Sequence, residues 1–303
     1  MKKETVLIIG YGSIGKKHAK ILNKNKKIGN IFLLTNQVSK RYKTIKTHSD
    51  IKKINPSFII ISSRTSEHYR DLCYILKNFK NKKILVEKPL FDKYKKIKII
   101  NNHKVFVGYN LRLHPVIQYA KNYLIGKNYY YTGIYCHSYL PNWRKEINYK
   151  NSNSAKKKYG GGVLLELSHE LDYLQMMFKE IKKINSVCVS KFSKLKIDVE
   201  DCAIITGKTE KLSFVVDLNF FSKNEKRLAI IHGLDFTMIC DLINCKITII
   251  KNNKKKIIHF KNDKEYTYNL EHKLILNNKS KTLCNLKEGL KLMKTIDKIK
   301  KLK

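Results

Sequence analysis

The sequence predicts an α/β protein of two domains: a doubly wound parallel sheet over residues 1–115, then an α+β domain over residues 116–303 built on a mostly antiparallel open sheet. Three observations carry this reading. From residue 4 to about 110, short apolar runs alternate with helix-like stretches, the pattern of successive βαβ units. The first passage from strand to helix runs through Gly10-Tyr11-Gly12-Ser13-Ile14-Gly15. Beyond about residue 178 the alternation gives way to consecutive strand-like runs with short polar connections, which suits antiparallel pairing.

In chain order, strands are expected near residues 5–10, 31–35, 57–62, 83–87 and 105–109, with helices near 13–25, 66–79 and 92–102. The apolar run Thr5 to Ile9 leads directly into the glycine turn, the context that a dinucleotide-binding turn requires. The first glycine permits the turn, the second lets the backbone approach a pyrophosphate, and the third lets helix pack on strand. The helix N-terminus adds partial positive charge for the phosphates. A Rossmann domain that binds NAD or NADP is therefore expected. Ligands of such sheets bind outside the carboxyl ends of the strands, so Gly10–Gly15, Ser62-Ser63-Arg64, Glu87-Lys88-Pro89 and Tyr109-Asn110 should converge on one crevice. A site that prefers NAD carries an acid about 20 residues past the glycine turn. Here that stretch reads Leu34-Thr35-Asn36-Gln37, with Lys40 and Arg41 downstream, which favours NADP.

The second half should begin with a helix near 115–126, an aromatic strand from Tyr129 to Leu140 and a polar loop at 141–158. Gly160-Gly161-Gly162 then opens an amphipathic helix that runs to about 178. Runs at 184–193, 201–208, 212–221, 227–240, 246–250 and 256–260 read as strands, and a lysine-rich helix at 282–302 follows them.

At 303 residues and 43% hydrophobic content, the chain can bury two sizeable cores. No apolar run approaches the ~18 residues of a membrane span, so a soluble cytoplasmic protein is expected. The seven cysteines show no CxxC pair, and the ten histidines show no HxH or HxxxH spacing. Reduced thiols and no structural metal are expected. The net charge of +39 would ordinarily suggest nucleic acid or an anionic membrane. However, only six of the 63 basic residues are Arg, the preferred reader of bases and phosphates, so the charge reads as a solvated lysine surface. Neither nucleic acid nor membrane is expected as a partner.

Two elements can carry chemistry. Lys88 ends the fourth expected strand, where its amine can hydrogen-bond a developing alkoxide or carbonyl oxygen. The segment Gly160-Gly161-Gly162-Val163-Leu164-Leu165-Glu166-Leu167-Ser168-His169-Glu170-Leu171-Asp172 places Glu166, His169 and Asp172 at helical spacings of three. His169 can take a proton while a carboxylate one turn away orients the ring. The loop residues Trp143, Arg144 and Tyr149 suit stacking on sugar faces and gripping of carboxylates or phosphates. Competing signatures are weaker. The YxxxK pairs at 42/46, 94/98 and 123/127 are as many as chance gives in so lysine-rich a chain, and no GxSxG occurs.

Together GYGSIG at 10–15, EKP at 87–89, GYNLR at 108–112 and GGGVLLELSHELDY at 160–173 resemble the Gfo/Idh/MocA family of NAD(P)-dependent sugar oxidoreductases. The resemblance spans nearly the whole chain. It implies that Lys88 and His169 are catalytic, with Glu166 in support, and that Gly10, Tyr11, Gly12, Ser13, Ile14 and Gly15 hold the pyrophosphate. Thr35, Asn36, Ser62, Ser63, Arg64, His68, Glu87 and Lys88 would line the cofactor cleft. Tyr109, Asn110, Arg112, Trp143, Arg144, Tyr149 and Asp172 would face a sugar-type substrate. The family places an Asp four residues before the catalytic His; here that position is Leu165, and Glu166 is the nearest acid. The loop at 140–154 and the LSHELDY form of the helix resemble the branch found in bacterial surface-glycan metabolism, acting on nucleotide-linked sugars or nonulosonic acids. A homo-oligomer formed through the C-terminal sheet is expected as well. The competing reading is a non-catalytic nucleotide-sensing or anion-binding protein on the same fold, and Lys88 with His169 argues against it.

Overall fold

The structure, a computed structural model, describes residues 3–302. The first stretch contains β1 (Glu4–Ile9), α1 (Ser13–Asn23), β2 (Ile28–Leu34), β3 (Lys43–Ile45), α2 (Ile51–Ile54), β4 (Phe58–Ile61), α3 (His68–Asn78), β5 (Lys83–Val86) and β6 (Lys104–Val107). Next come α4 (Pro115–Tyr123), β7 (Tyr129–Tyr139), α5 (Val163–Glu166), α6 (His169–Phe178), β8 (Ile181–Ser190), β9 (Cys202–Thr209) and β10 (Ser213–Asn219). The chain continues with β11 (Phe221–Gly233), β12 (Thr237–Asp241), β13 (Lys246–Lys251), β14 (Lys254–His259), α7 (Tyr266–Leu276), β15 (Cys284–Asn285) and α8 (Leu286–Lys301). Two compact units result, one made of the residues up to Asn110 with Glu265–Met293, the other of Leu111–Lys264 with the residues from Lys294. The sequence expectation of one break near 115 assigned everything later to the second domain; the observed first unit also includes a returning segment.

The first unit is built on a seven-stranded sheet in the order β15-β6-β5-β4-β1-β2-β3. All its pairs are parallel except β15 with β6. Six of its strands have the doubly wound order 3-2-1-4-5-6. Its central strands are apolar on both faces: Val6–Ile9, Phe58–Ile61 and Ile84–Val86 are buried throughout, as a sheet covered on both sides requires.

The second unit carries an eight-stranded sheet in the order β14-β13-β12-β11-β7-β10-β9-β8, antiparallel except for β7 with β10. Along β10 the buried residues Phe214, Val216 and Leu218 alternate with half-buried ones, so one face of the sheet makes core. Helices α5 and α6 pack on this sheet, and α6 contributes Leu171, Leu174 and Phe178 to the core.

Several local expectations are corrected. No helix forms over 92–102: Ile99 and Ile100 are exposed, so the apolar residues there build no inward face, and β-branched residues lower helix propensity. The run at 227–240 is a hairpin, the end of β11 and all of β12 joined by residues 234–236. The polar loop at 141–158 contains short 3-10 turns at Tyr149–Asn151, Asn153–Ala155 and Lys157–Tyr159. Helix α7 had no sequence expectation, because its buried positions include Thr267, Glu271 and His272 and give no apolar stripe.

Candidate functional site

The parallel strands of the first unit end in register, with Ile9 opposite both Leu34 and Ile61, Ile61 opposite Val86, and Val86 opposite Val107. The next residues continue the ladder: Gly10 N donates to Leu34 O at 3.0 Å, and Ser62 N to Ile9 O, Glu87 N to Ile61 O and Gly108 N to Val86 O, each at 2.8 Å. The expected segments therefore do converge at the carboxyl edge of the sheet.

At this edge the three glycines have three different surroundings. Gly10 has φ +89°, and a Cβ there would lie 2.5 Å from Ser63 N and 2.6 Å from Ser62 O. A Cβ on Gly15 would run into Gly10 O. Gly12 is the reverse case: its backbone is extended (φ −73°, ψ −166°) and a Cβ would meet nothing within 4 Å. Gly12 also caps α1, whose N-terminus has no side-chain cap and no acid in its first turn. Open space over backbone N–H groups at the positive end of a helix fits a pyrophosphate, as the dinucleotide assignment demands. Ser13 is exposed beside it, while Tyr11 and Ile14 are half-buried.

The surrounding residues are held by hydrogen bonds. Ser62 Oγ donates to Gly10 O at 2.9 Å, and Ser63 Oγ to Asp71 Oδ2 at 2.7 Å. His68 is buried between Pro89 O (3.1 Å) and Ser63 O (3.2 Å), and burial lowers its proton affinity although both carbonyls favour the charged form. Arg64 is exposed, and Lys88 is half-buried and joined to Pro89 by a cis peptide. Tyr109 is buried, as is Asn110, which donates to Thr267 Oγ1 at 3.0 Å. At the end of β2, Thr35 Oγ1 accepts from Gln37 N at 3.1 Å, Asn36 is exposed, and Arg41 lies 5.8 Å from the centre of the Tyr42 ring.

Glu87 turns inward. Its Oε1 accepts from His18 Nε2 at 2.8 Å, its Oε2 accepts from Lys88 N at 3.2 Å, and Gly108 leaves room for the carboxylate, since a Cβ there would lie 2.9 Å from Oε1. His18 Nδ1 lies 2.8 Å from His272 Nε2. Burial pushes the Glu87 carboxyl up, but the hydrogen bond and charge of His18, then Lys88, outweigh it and leave the group below the usual range. Sequence reasoning missed His18, Glu271 and His272. The histidine eight residues past Gly10 was visible, but its partners lie some 250 positions away on a helix with no periodic signal.

In the second unit, the single amphipathic helix expected from Val163 to about 178 is broken at Leu167-Ser168, where Ser168 Oγ donates to Leu165 O at 2.8 Å. A hydroxyl bonded to a nearby carbonyl competes with the helical ladder. Glu166 thus ends α5, and His169, only 8% exposed, starts α6. The spacing argument that put Glu166 one turn from His169 on a continuous helix no longer applies. Glu166 Oε1 accepts from Ser154 Oγ at 2.8 Å, which ties the loop to α5. Gly161 and Gly162 make close backbone approaches, to Ser154 O and to the Glu200 carboxylate respectively.

Arg112 and Asp172, both expected at a substrate, bind each other: Nε to Oδ2 is 2.8 Å and Nη2 to Oδ1 is 2.7 Å, with both side chains buried. Arg227 likewise grips the fully buried Glu170 at 2.8 Å. Trp143, Arg144 and Tyr149 do come together, lining one small pocket with Leu140, Ile147, Ser152 and Ser154. Trp143 also packs edge-on against Phe220, with ring centres 5.1 Å apart. Among the described residues, no group of three or more His, Cys, Asp or Glu could hold a metal ion, and no helix is long and apolar enough to cross a membrane.

A sheet in 3-2-1-4-5-6 order with an open glycine-capped helix at its carboxyl edge defines a dinucleotide-binding unit. Residues 5–104 match the oxidoreductase family with an NAD-binding Rossmann fold, and residues 118–237 match the GFO/IDH/MocA C-terminal domain. The chain belongs to this GFO/IDH/MocA oxidoreductase family. No curated protein matches the sequence itself. Among solved structures, the fold is similar to UDP-N-acetylglucosamine 3-dehydrogenase GnnA from Acidithiobacillus ferrooxidans (15% identity, 99% of this chain and 97% of that one, TM-score 0.79). It is similar to the WlbA dehydrogenase from Bordetella pertussis in complex with NADH and UDP-GlcNAcA (14%, 99% and 96%, 0.78). It is also similar to levoglucosan dehydrogenase in complex with NADH and levoglucosan (14%, 99% and 97%, 0.83).

Proposed function

We propose that this oxidoreductase transfers hydride between a nicotinamide dinucleotide and a secondary alcohol or ketone of a sugar or sugar derivative, with Lys88 and His169 as its catalytic pair. The observation that carries the reading is the unobstructed face of Gly12 at the N-terminus of α1, on the same sheet edge as the strand end bearing Lys88. Backbone N–H groups of residues 12–15 would hold the pyrophosphate, and Ser62, Ser63 and Thr35 would border it. The chemistry a nicotinamide cofactor supplies when bound is hydride transfer at carbon. The Lys88 amine donates a hydrogen bond to the substrate oxygen, where negative charge develops. His169 accepts the hydroxyl proton in oxidation and returns it in reduction. In this reading the first unit binds cofactor, and the second binds substrate and joins copies of the chain through its sheet.

The residue types gathered at Trp143, Arg144 and Tyr149 suit a substrate with both a sugar face and an acidic group, since an indole stacks and a guanidinium grips phosphate or carboxylate. The similarity to structures named for UDP-linked sugars supports a nucleotide sugar as substrate, and the resemblance of the loop and the LSHELDY helix supports a role in surface-glycan metabolism. The acid-free end of β2 with Arg41 nearby extends the cofactor to NADP. The test is cofactor reduction screened against free and nucleotide-linked sugars with NAD and NADP in parallel. Turnover on a nucleotide sugar carries the reading; cofactor binding without turnover on any sugar class favours a sensor on the same fold.

A further inference from the structure

Three elements of the first unit bring titratable side chains together next to Lys88. His18 comes from α1, Glu87 from the end of β5, and Glu271 and His272 from α7; they are 0%, 6%, 2% and 1% exposed. The hydrogen-bonded path runs from Lys88 N to Glu87 Oε2, from Glu87 Oε1 to His18 Nε2, and from His18 Nδ1 to His272 Nε2. Since Glu87 accepts at Nε2, His18 carries a proton there, and the contact between the two rings needs one more proton between its nitrogens. Burial, and then the charge of Glu87, raise Glu271 well above the usual carboxyl range, and burial, then His18, push His272 well below the usual imidazole range.

A buried ionic array is a poor way to stabilise a fold, because apolar side chains of similar volume fill the same space at lower cost. Here the array ends on the backbone of the residue that carries the proposed reaction. We propose that His18, braced by His272, is a positioning residue: it holds Glu87 as an oriented carboxylate that grips the Lys88 amide and so fixes where the Lys88 ammonium meets the substrate oxygen. This rests on the reading of Lys88 as catalytic.

The experiment compares His18→Leu with His18→Gln, each in the wild-type and the Lys88→Ala background, on the sugar substrate identified by the screen. His18→Leu should lower kcat about tenfold or more with cofactor KM within about twofold, and His18→Gln, whose amide still donates to Glu87, should stay within about threefold of wild type. In the Lys88→Ala background, His18→Leu should change the residual rate by less than about twofold, because its effect passes through Lys88. Wild-type kcat in His18→Leu, or the same tenfold loss with and without Lys88, overturns the proposal. If His18→Leu does not fold, His272→Asn serves in its place: it removes the brace, should lower kcat about threefold, and should have no effect without Lys88. Wild-type turnover in Lys88→Ala alone refutes the catalytic lysine, a failure that can be told apart from failure of the positioning role.

Discussion

Alanine placed at Gly12 and alanine placed at Gly10 should have opposite consequences although the two sites are two residues apart. At Gly12 the backbone is extended and the added methyl meets no protein atom within 4 Å. Restricting the unfolded chain stabilises by about 0.4–1 kcal/mol, and losing glycine at an N-cap costs a comparable amount, so Gly12→Ala should unfold within about 1 kcal/mol of wild type. At Gly10, φ of +89° imposes a left-handed penalty of about 1–2 kcal/mol, and a methyl 2.5 Å from Ser63 N adds about 1–3 kcal/mol of overpacking. Gly10→Ala should therefore lose about 2–5 kcal/mol. Cofactor affinity should separate them as well, because the Gly12 methyl enters the space read as the pyrophosphate's; folded Gly12→Ala should bind at least about tenfold more weakly, a loss of about 1.4 kcal/mol. Urea unfolding gives the stabilities, and titration of NADH and NADPH fluorescence gives the affinities. Wild-type cofactor affinity in Gly12→Ala, or wild-type stability in Gly10→Ala, refutes the reasoning.

Lys88→Ala and His169→Ala should each lower kcat by about 10²–10⁴-fold while cofactor affinity, read by the same fluorescence titration, stays within about threefold. Asp172→Asn should cost about 3 kcal/mol in urea unfolding, because it removes the carboxylate charge from a buried pair with Arg112, and should leave substrate KM near wild type in steady-state kinetics; a raised KM at full stability would return Asp172 to the substrate. His114 is pushed down from 6.5 to about 4 by burial and then by Arg227, so it stays neutral in the fold while the unfolded chain takes up a proton below pH 6.5. Its contribution is present above that pH and is lost as pH falls toward 4. Relative to His114→Asn, which keeps a helix cap and does not titrate, wild type should lose about 2 kcal/mol between pH 8 and pH 5. Parallel denaturation curves at the two pH values check this, and an equal pH dependence in both proteins would sink it.

Five strands of the first sheet were legible because they are continuous apolar runs between turn residues, whereas β3 and β15 are too short and polar to read, and GYGSIG, EKP and Ser62–Arg64 fell on the carboxyl edge through register alone. The antiparallel sheet was legible from its strand-like runs, though not where a hairpin inside 227–240 turns at Gly233–Phe236, whose single glycine is accompanied by the apolar Leu234 and Phe236. The site was read less fully. Residues at helical spacing look alike whether or not the helix is continuous, so the break before His169 was invisible until the Ser168 side chain was seen on the Leu165 carbonyl. Arg112 and Asp172 each look like substrate ligands in one dimension, and only their mutual pairing shows what binds them. Helix α7 escaped because its buried face joins Thr267, Glu271 and His272 to only two apolar residues, Ile275 and Leu276, too few for a hydrophobic period.

The first unit is sewn together from two stretches far apart in the sequence, with Glu265–Met293 completing what the residues up to Asn110 begin. A nascent chain that has emerged only as far as residue 264 already contains all eight strands of the second sheet, but neither α7 nor β15. Synthesis therefore reverses the order of the map: the sheet of the later-encoded body can form first, while the nucleotide-binding half must wait for Glu265–Met293, and His18 meets its imidazole partner only then. Cutting this half out as an N-terminal fragment would leave it in that waiting state.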